Sequence, residues 1–298
     1  MTPIRPRGDI VTAFARLRRA AALTVVAAAT VVSLTACAFA PTGSDAGAAP
    51  ASEGALQTVT AGKLTIATGE PAFSPWVEND DPASGEGFEA AVADAVATKL
   101  GFSKDDVVWV RSTFDSAIAP GAKDWDLNLQ QFSITEQRKQ AVDFSSPYYT
   151  TTQAIVSTGS SPAASATTVA ELKNIPVGVM SATTSYQVAA DQLGTGNLSV
   201  FNSNDDAVAA LQAGQVDAIV VDLPTAFYLA GAVLDDGKVV GQLPDSSAGG
   251  DELAFVLPKG SALTTPVTEA VDALREDGTL DELQQKWLGG TDAAPLLK

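Results

Sequence analysis

Residues 132–149 read FSITEQRKQAVDFSSPYY, which places one arginine behind a Ser-x-Thr turn and ahead of an acidic, aromatic run broken by proline. Cleavage before Cys37, argued below, leaves Arg111, Arg138 and Arg275 as the only arginines. A guanidinium offers two parallel donors in a fixed plane, a match for a carboxylate that lysine cannot reproduce. The hydroxyl of Thr135 can cap the helical turn carrying Arg138 and fix where that fork points. The bland alternative is a surface arginine with an incidental partner.

Around this stretch the pattern alternates between strand and helix. Residues 63–68 alternate in polarity and end at a Gly-Glu-Pro turn, as a first strand feeding a loop does. From Phe88 the apolar positions Phe88, Ala91, Val92, Ala95, Val96 and Leu100 fall on one helical face, and Gly101 stops the helix. Residues 107–110 form the next strand, and 153–156 another, followed by a Ser/Ala/Pro-rich surface loop at 157–168. A second unit starts with a strand at 177–180 and a helix opening near Tyr186. Ser203 or Asn204 then caps a helix with Val208 and Leu211 on one face. Gly214 closes it, and a continuous apolar strand at 216–221 ends at Asp222. Thr265-Pro266 reads as a cap with proline at the first helical position, ahead of Val267, Ala270, Val271 and Leu274. Gly278 ends that helix, and Thr279 with Glu282 reads as a capping box for a last helix running to Trp287. The order strand, helix, strand predicts an α/β fold with parallel-rich sheets.

The chain has 298 residues, 46% of them hydrophobic, enough for two ordinary domains with real cores. Its net charge is −17, which argues against a nucleic-acid partner, because phosphate binding needs basic patches. There is no histidine and a single cysteine, Cys37. That removes a Ser-His-Asp triad, a Cys-His pair, an imidazole zinc site and any intramolecular disulfide. Carboxylate or lysine chemistry is all that remains for an enzyme, so the composition favours binding, without cofactor or metal, over catalysis.

At the N-terminus Arg16, Arg18 and Arg19 precede an apolar run at 20–34, which meets Leu34-Thr35-Ala36-Cys37. The run is short of the roughly 20 residues a spanning helix needs, which disfavours the alternative of a transmembrane anchor. The tetrapeptide resembles the lipobox of bacterial lipoproteins. Residues 1–36 are then a signal peptide, and Cys37 carries the lipid that anchors the protein to the outer face of the cell membrane. Two acyl chains anchor stably where one is marginal. Residues 37–60, rich in Ala, Gly, Ser and Pro, read as a disordered tether. Losing 1–36 removes five arginines and Asp9, deepening the charge from −17 to −21; the acidity suits solubility in an extracellular setting.

Further stretches extend the pattern S-I-T-x-x-R and D-F-S-x-P-Y along the chain: TIATGEPAFSPW at 65–76, GFEAAVADAVATKLGF at 87–102, VGVMSATTS at 177–185, AVAALQAGQVDAIVVDLPTAFYL at 207–229 and LREDGTLDELQQKWLG at 274–289. In this order they resemble the solute-binding proteins of polar amino-acid ABC importers, family 3. The resemblance implies a two-lobed fold, the periplasmic-binding-protein type II or Venus-flytrap architecture, each lobe a mostly parallel sheet flanked by helices. Lobe one takes 61–153 and the return segment 252–298, and lobe two takes 154–251. It also implies a monomer that captures a polar or cationic amino acid and delivers it to an ABC permease and its ATPase, with no chemistry on the ligand. Two alternatives stay open. One is an extracytoplasmic dehydratase of a cyclic amino-acid precursor on the same fold, with Glu70 as acid. The other is a sensing module for a signalling partner.

Carried over residue by residue, the resemblance puts the ligand carboxylate on Arg138 and its ammonium on Asp222, for which a helix cap before Pro224 is the alternative. Gln130, Gln131 and Ser133 supply polar contacts from lobe one. From lobe two come Met180, Ala182, Thr183 and Thr184, whose backbone amides at a helix start favour an anion. Ala182 stands where the family often has glycine, and its methyl restricts close backbone approach. Phe73, Trp76 and Phe114 are implied pocket aromatics, with core packing the equal alternative. Glu70 falls at or one residue from a family aspartate position. It either faces the ligand's side chain or is a turn glutamate in solvent. No further arginine or lysine accompanies Arg138 among the matched positions, which disfavours a dicarboxylic ligand.

Overall fold

The computed structural model describes residues 56–244, 250–289 and 294–298; the expected signal peptide, Cys37 and most of the tether lie outside them. Within them the short apolar runs become strands and the striped segments become helices. Lobe one opens with β1 Leu64–Thr68, α1 Phe88–Lys99, β2 Val107–Arg111, α2 Phe114–Ile118, β3 Leu127–Asn128 and β4 Val142–Thr151. Lobe two follows with β5 Gln153–Thr158, α3 Val169–Leu172, β6 Val177–Met180, α4 Thr184–Leu193 and β7 Leu198–Phe201. It continues with α5 Asn204–Gln212, β8 Ala218–Asp222, α6 Leu223–Tyr228 and β9 Gly237–Gln242. The chain returns to lobe one as β10 Asp251–Pro258, α7 Thr264–Glu276 and α8 Thr279–Leu288.

The two sheets share one plan. In lobe one the order is β2-β1-β3-β10-β4, and in lobe two β7-β6-β8-β5-β9. The outer three strands run parallel, while β10 and β5 insert antiparallel to both neighbours. Each antiparallel strand is the first after the chain crosses over from the other lobe. Side chains alternate across each sheet, as the period of two requires. In β5, Ala154 and Val156 join Val208, Leu211 and Val221 on one face, while Ile155 joins Leu172, Val177 and Val179 on the other. This is the expected two-lobed type II architecture with sheets flanked by helices, but each sheet is mixed, with two parallel and two antiparallel pairings, rather than mostly parallel.

Several local expectations are corrected. The buried face of α1 is rotated from the predicted stripe. Glu89, Ala90, Ala93 and Ala97 are buried beside Phe88, Val92 and Val96, whereas Ala91, Ala95 and Leu100 are only half-buried. Gly87 begins this helix with φ 101°, and a Cβ there would stand 2.5 Å from the Trp76 carbonyl oxygen. Helix α7 starts two residues earlier than Thr265-Pro266 suggested, so Pro266 falls third, where its missing N–H is still one of the unpaired four. The box of Thr279 with Glu282 does not form, because Thr279 is already helical and Asp277 Oδ1 accepts from its N–H at 3.1 Å. The surface loop expected at 157–168 is shorter, since β5 runs to Thr158 and Ala163 is buried in a 3-10 turn. The tether ends before residue 60: Leu56 packs on the lobe-one core, and Asp126 Oδ1 accepts from the Val59 N–H at 2.7 Å.

The lobe boundaries also shift. Gln153 already pairs with Asp222 in the second sheet, and Asp251 already pairs with Thr151 in the first. A larger correction concerns the end of the return segment, assigned to lobe one throughout 252–298. Helix α8 does pack there, through Leu280 and Leu288, but residues 294–298 dock on lobe two. Leu297, 2% exposed, donates its N–H to Gln242 O at 2.9 Å, and Gln242 donates back to Pro295 O at 2.8 Å. The Val169 N–H donates to Lys298 O at 2.9 Å. No motif marks this tail, so nothing in the pattern distinguished it from the helix before it. Among the described residues no helix is long and apolar enough to cross a membrane.

Candidate functional site

The carboxyl ends of β1, β3, β6 and β8 converge on a cavity of about 250 Å³ between the two sheets. Open α/β sheets place ligand groups at such strand ends. Twelve of the thirteen expected residues line it: Glu70, Phe73, Trp76, Phe114, Gln130, Gln131, Ser133 and Arg138 from lobe one, and Met180, Thr183, Thr184 and Asp222 from lobe two. Ala182 does not. It takes a left-handed conformation, φ 59°, and its carbonyl oxygen accepts from Arg138 Nη2 at 2.9 Å. The place where an anion-binding amide was expected thus presents an acceptor to the arginine.

Arg138 is 7% exposed and starts a single 3-10 turn rather than a full helix. Thr135 Oγ1 accepts from its N–H at 3.1 Å, so the capping expected of Thr135 is present at that turn. Nη1 donates to Ser133 O at 2.7 Å, and the guanidinium lies 5.3 Å from the Phe114 ring centroid. Phe114 in turn stacks on buried Phe132 at 4.8 Å. Two carbonyls and a ring therefore fix the plane of the fork. Burial lowers the Arg138 pKa, while the nearby charges of Asp251 and Asp222 oppose that shift; a guanidinium stays protonated in proteins.

Asp222 occupies the position before α6, yet its side chain makes no capping bond to that helix. It is held instead by Gln153 Nε2, which donates to Asp222 Oδ1 and to Asp251 Oδ2, both at 2.7 Å. Ser185 Oγ completes the arrangement by donating to Gln153 Oε1 at 2.6 Å. Burial pushes the Asp222 carboxyl up to about 7, and the charge of Asp251 adds to the rise; Gln153 and Arg138 pull the other way. A carboxyl raised in this manner gains most from a cation placed against it.

Among the described residues further hydrogen bonds cross from lobe to lobe around the cavity, in addition to Gln153 to Asp251. Besides Arg138 to Ala182, Trp76 Nε1 donates to Thr225 Oγ1 at 2.9 Å, and Ser133 Oγ lies 3.1 Å from Thr184 Oγ1. Trp76, 1% exposed, packs edge-on against Phe88 and Tyr149, so it is both core and cavity wall. Phe73 is 38% exposed at the cavity lip, and Glu70 is exposed beside it.

The sequence reading missed several lining residues, chief among them Glu89, Asn202 and Asp205. Glu89 was not among the positions placed on the buried face of α1. It is 1% exposed and accepts from Gln131 N at 2.7 Å, from Gln131 Nε2 and from the Tyr148 hydroxyl. Burial pushes its carboxyl up to about 7, against the pull of these donors. The available signal was its place between Phe88 and Ala90, two residues after Gly87 in GFEAAV. Asp205 sits in the first turn of α5, whose cap, Ser203, was recognised only as a cap; burial and the charge of Asp206 raise its pKa. Counting Glu70, Glu89, Asp205 and Asp222 against Arg138, the cavity wall is acidic. Among the described residues no cluster of three or more acidic, cysteine or histidine side chains is arranged to hold a metal ion.

Two similar α/β lobes with a ligand-sized cavity between them define a binding-protein architecture. The family described as bacterial extracellular solute-binding proteins, family 3, matches residues 64–290, and the chain belongs to it. Among curated proteins it is similar to the L-arginine-binding protein of Pseudomonas aeruginosa, at 29% identity over 239 residues, covering 78% of this chain and 90% of that one. Among solved structures it is similar to an ancestral arginine-binding protein bound to glutamine, with TM-score 0.65 and 30% identity, covering 77% of this chain and 99% of that one. A third similarity is to an ancestral amino acid-binding protein described as a precursor of cyclohexadienyl dehydratase, with TM-score 0.62 and 30% identity, covering 76% and 95% of the two chains.

Proposed function

We propose that this protein is the extracytoplasmic substrate-binding component of an amino-acid ABC importer, tethered through a lipid on Cys37, and that it captures a polar or cationic amino acid as a monomer. The observation that carries the reading is the placement of Arg138 on one lobe and Asp222 on the other, both facing one cavity of about 250 Å³. A zwitterion presents a carboxylate and an ammonium to be desolvated together, and burying either without a partner costs several kcal/mol. Arg138 takes the carboxylate and Asp222 the ammonium, so a bound amino acid joins the lobes. The thirteen expected residues keep their proposed roles except Ala182, which serves as a carbonyl that steadies Arg138.

The acidic wall supports a ligand with an extra positive charge, because Glu70 and Asp205 remain to face it. Relatives named for arginine binding agree with this chemistry. Contacts from both lobes favour the closed form by differential affinity, and the permease then reads that shape. The ligand leaves unchanged; incubation with prephenate or arogenate yields no product, and turnover of either would overturn this part of the reading. The direct test is a thermal-shift panel of the twenty amino acids plus ornithine, citrulline and cystine on protein refolded to strip carried-over ligand. A ligand that binds only the native state raises stability by mass action. A large shift for one basic amino acid or a small related group is the expected outcome, and no shift for any would sink the proposal.

A further inference from the structure

Among the described residues Glu89 is the one carboxylate lining the cavity that is only 1% exposed, and two of its three hydrogen bonds lead to the loop that presents the ligand-facing groups of lobe one, the third coming from the Tyr148 hydroxyl on β4. Both oxygens are engaged by a single residue, Gln131, through its backbone N–H and its side-chain amide. Gln131 takes a left-handed conformation, φ 50°, which a non-glycine residue holds only when its surroundings impose it. The next residue, Phe132, is fully buried and stacks on Phe114, the ring beneath the Arg138 guanidinium. Ser133 follows, with its carbonyl on Arg138 and its hydroxyl against Thr184 of the other lobe. A chain of contacts thus runs from Glu89 through residues 131–133 to the arginine fork.

We propose that Glu89 is a positioning residue for this site: its ionised carboxylate holds Gln131 in the left-handed turn that aims Ser133 and Arg138 into the cavity, and protonation of Glu89 releases that turn. The proposal rests on reading the cavity as an amino-acid site. The Gln131 N–H, the Gln131 side-chain amide and the Tyr148 hydroxyl all donate to Glu89, so the ionised form satisfies all three, whereas protonation either removes a charged acceptor from Gln131 or reverses the bond to the Tyr148 hydroxyl. The groups facing it are the Tyr148 hydroxyl from β4 and Gln131 from the loop, with the charge of Asp222 acting from the end of β8. Among the described residues no lysine or arginine is hydrogen-bonded to it. With its carboxyl raised to about 7, the change of charge falls in the neutral range. Tyr148 is pushed well above its usual value by burial and by Glu89 itself, so its hydroxyl stays protonated throughout.

The first arm needs no ligand. The Gln131 amide resonance is followed by NMR from pH 5 to 9 in the purified, ligand-stripped protein, in wild type and in Glu89→Gln. A titration of that amide in the neutral range, abolished in the variant while the Asp222-linked signals still titrate, is the expected result. A Gln131 amide that does not respond to pH, or responds identically in Glu89→Gln, overturns the proposal. In the second arm, calorimetry with the amino acid giving the largest thermal shift should show affinity at pH 8 reduced at least tenfold in Glu89→Gln, with melting temperature unchanged or raised. Equal affinity overturns it. If Glu89→Gln does not fold, Tyr148→Phe decides: loss of one donor moves the midpoint of the Gln131 titration upward, and an unmoved midpoint overturns the proposal. If no amino acid binds, the proposed function fails, while the ligand-free titration still settles the role of Glu89.

Discussion

The two lobes share a strand order but not a way of building their half of the cavity. Every ring–ring contact recorded among the described residues lies in lobe one, linking Trp76, Phe88, Tyr148, Tyr149 and Phe255 on one face of its sheet and Phe114 with Phe132 on the other. The buried clusters of lobe two are Ala, Val, Leu and Ile. At the cavity, lobe one offers long or broad side chains already fixed by rings and hydrogen bonds, Arg138, Glu89 and Trp76. Lobe two offers mostly short side chains, Thr183, Thr184, Ser185, Ser203 and Asn204 at helix starts, with Asp205, Asp222 and one long apolar side chain, Met180. Long side chains lose up to ~2 kcal/mol of rotamer entropy on ordering, and short hydroxyls much less. Lobe one therefore settles this cost during folding, and lobe two can close on the ligand with little further ordering. The lesson is a division into a preformed seat and a light lid.

The strongest way to break this comparison is to remove the seat. Arg138→Ala leaves a ligand carboxylate facing a buried site without its partner, and calorimetry should show affinity lowered by at least ~2 kcal/mol, about 30-fold. A smaller change would mean that lobe one is not where the carboxylate binds. Next comes the anchor of the lid. Asp222→Asn should weaken binding by about tenfold at pH 8, roughly 1.4 kcal/mol, because the ammonium loses a charged acceptor.

Asp222 also carries a pH signature of known sign. With both Glu89 and Asp222 raised to about 7, the folded protein holds more protons than the unfolded chain between the ordinary carboxylate range and pH 7. Stability of the ligand-free protein therefore rises as pH falls from 8 toward 5, and affinity for a cationic group falls over the same interval. Thermal melts across that range should show the rise in wild type and a shallower one in Asp222→Asn; a fall would reverse the assignment.

The contact between seat and lid is sharpened by Thr225→Val. It strands the indole N–H of Trp76 in the closed form, and affinity should drop about fivefold, ~1 kcal/mol, with the ligand-free melting temperature little altered. An unchanged affinity would show that this bond contributes nothing to closure. The smallest effect is expected at Ala182, where glycine relieves a left-handed alanine. Urea unfolding of Ala182→Gly should show a gain of ~0.5–1 kcal/mol, and a loss would mean that the methyl is packed rather than tolerated.

How much of this was legible follows the same division. Arg138 and Asp222 stood out because each sits in a motif and at a strand end or turn that a pattern can locate. Strand and helix positions followed from periods of two and 3.6, so the sheets and the faces of α5 and α7 were readable. Glu89 was not, because its burial depends on Gln131, 42 residues away, folding back over the first turn of α1. Capping was misread at Thr265 and Thr279 for a related reason. Whether a hydroxyl caps depends on where the preceding backbone bends, and at α8 the bend at Gly278 leaves Thr279 inside the helix, with Asp277 on the other side of the bend accepting from its N–H. The handedness of Ala182 and the carbonyl it turns toward Arg138 are tertiary facts with no local signature.

The docking of residues 294–298 on lobe two changes the parity of the chain. Two crossings between lobes would return the polypeptide to the side where it began; a third leaves its described ends on opposite lobes, Leu56 against the first core and Lys298 beside Val169 in the second. Opening and closing are thereby converted into a change in the separation between residues 56 and 298. A donor and an acceptor dye at positions 56 and 298 form a gauge of lobe motion that touches neither the cavity nor the seat, and a single molecule so labelled reports each capture as it happens.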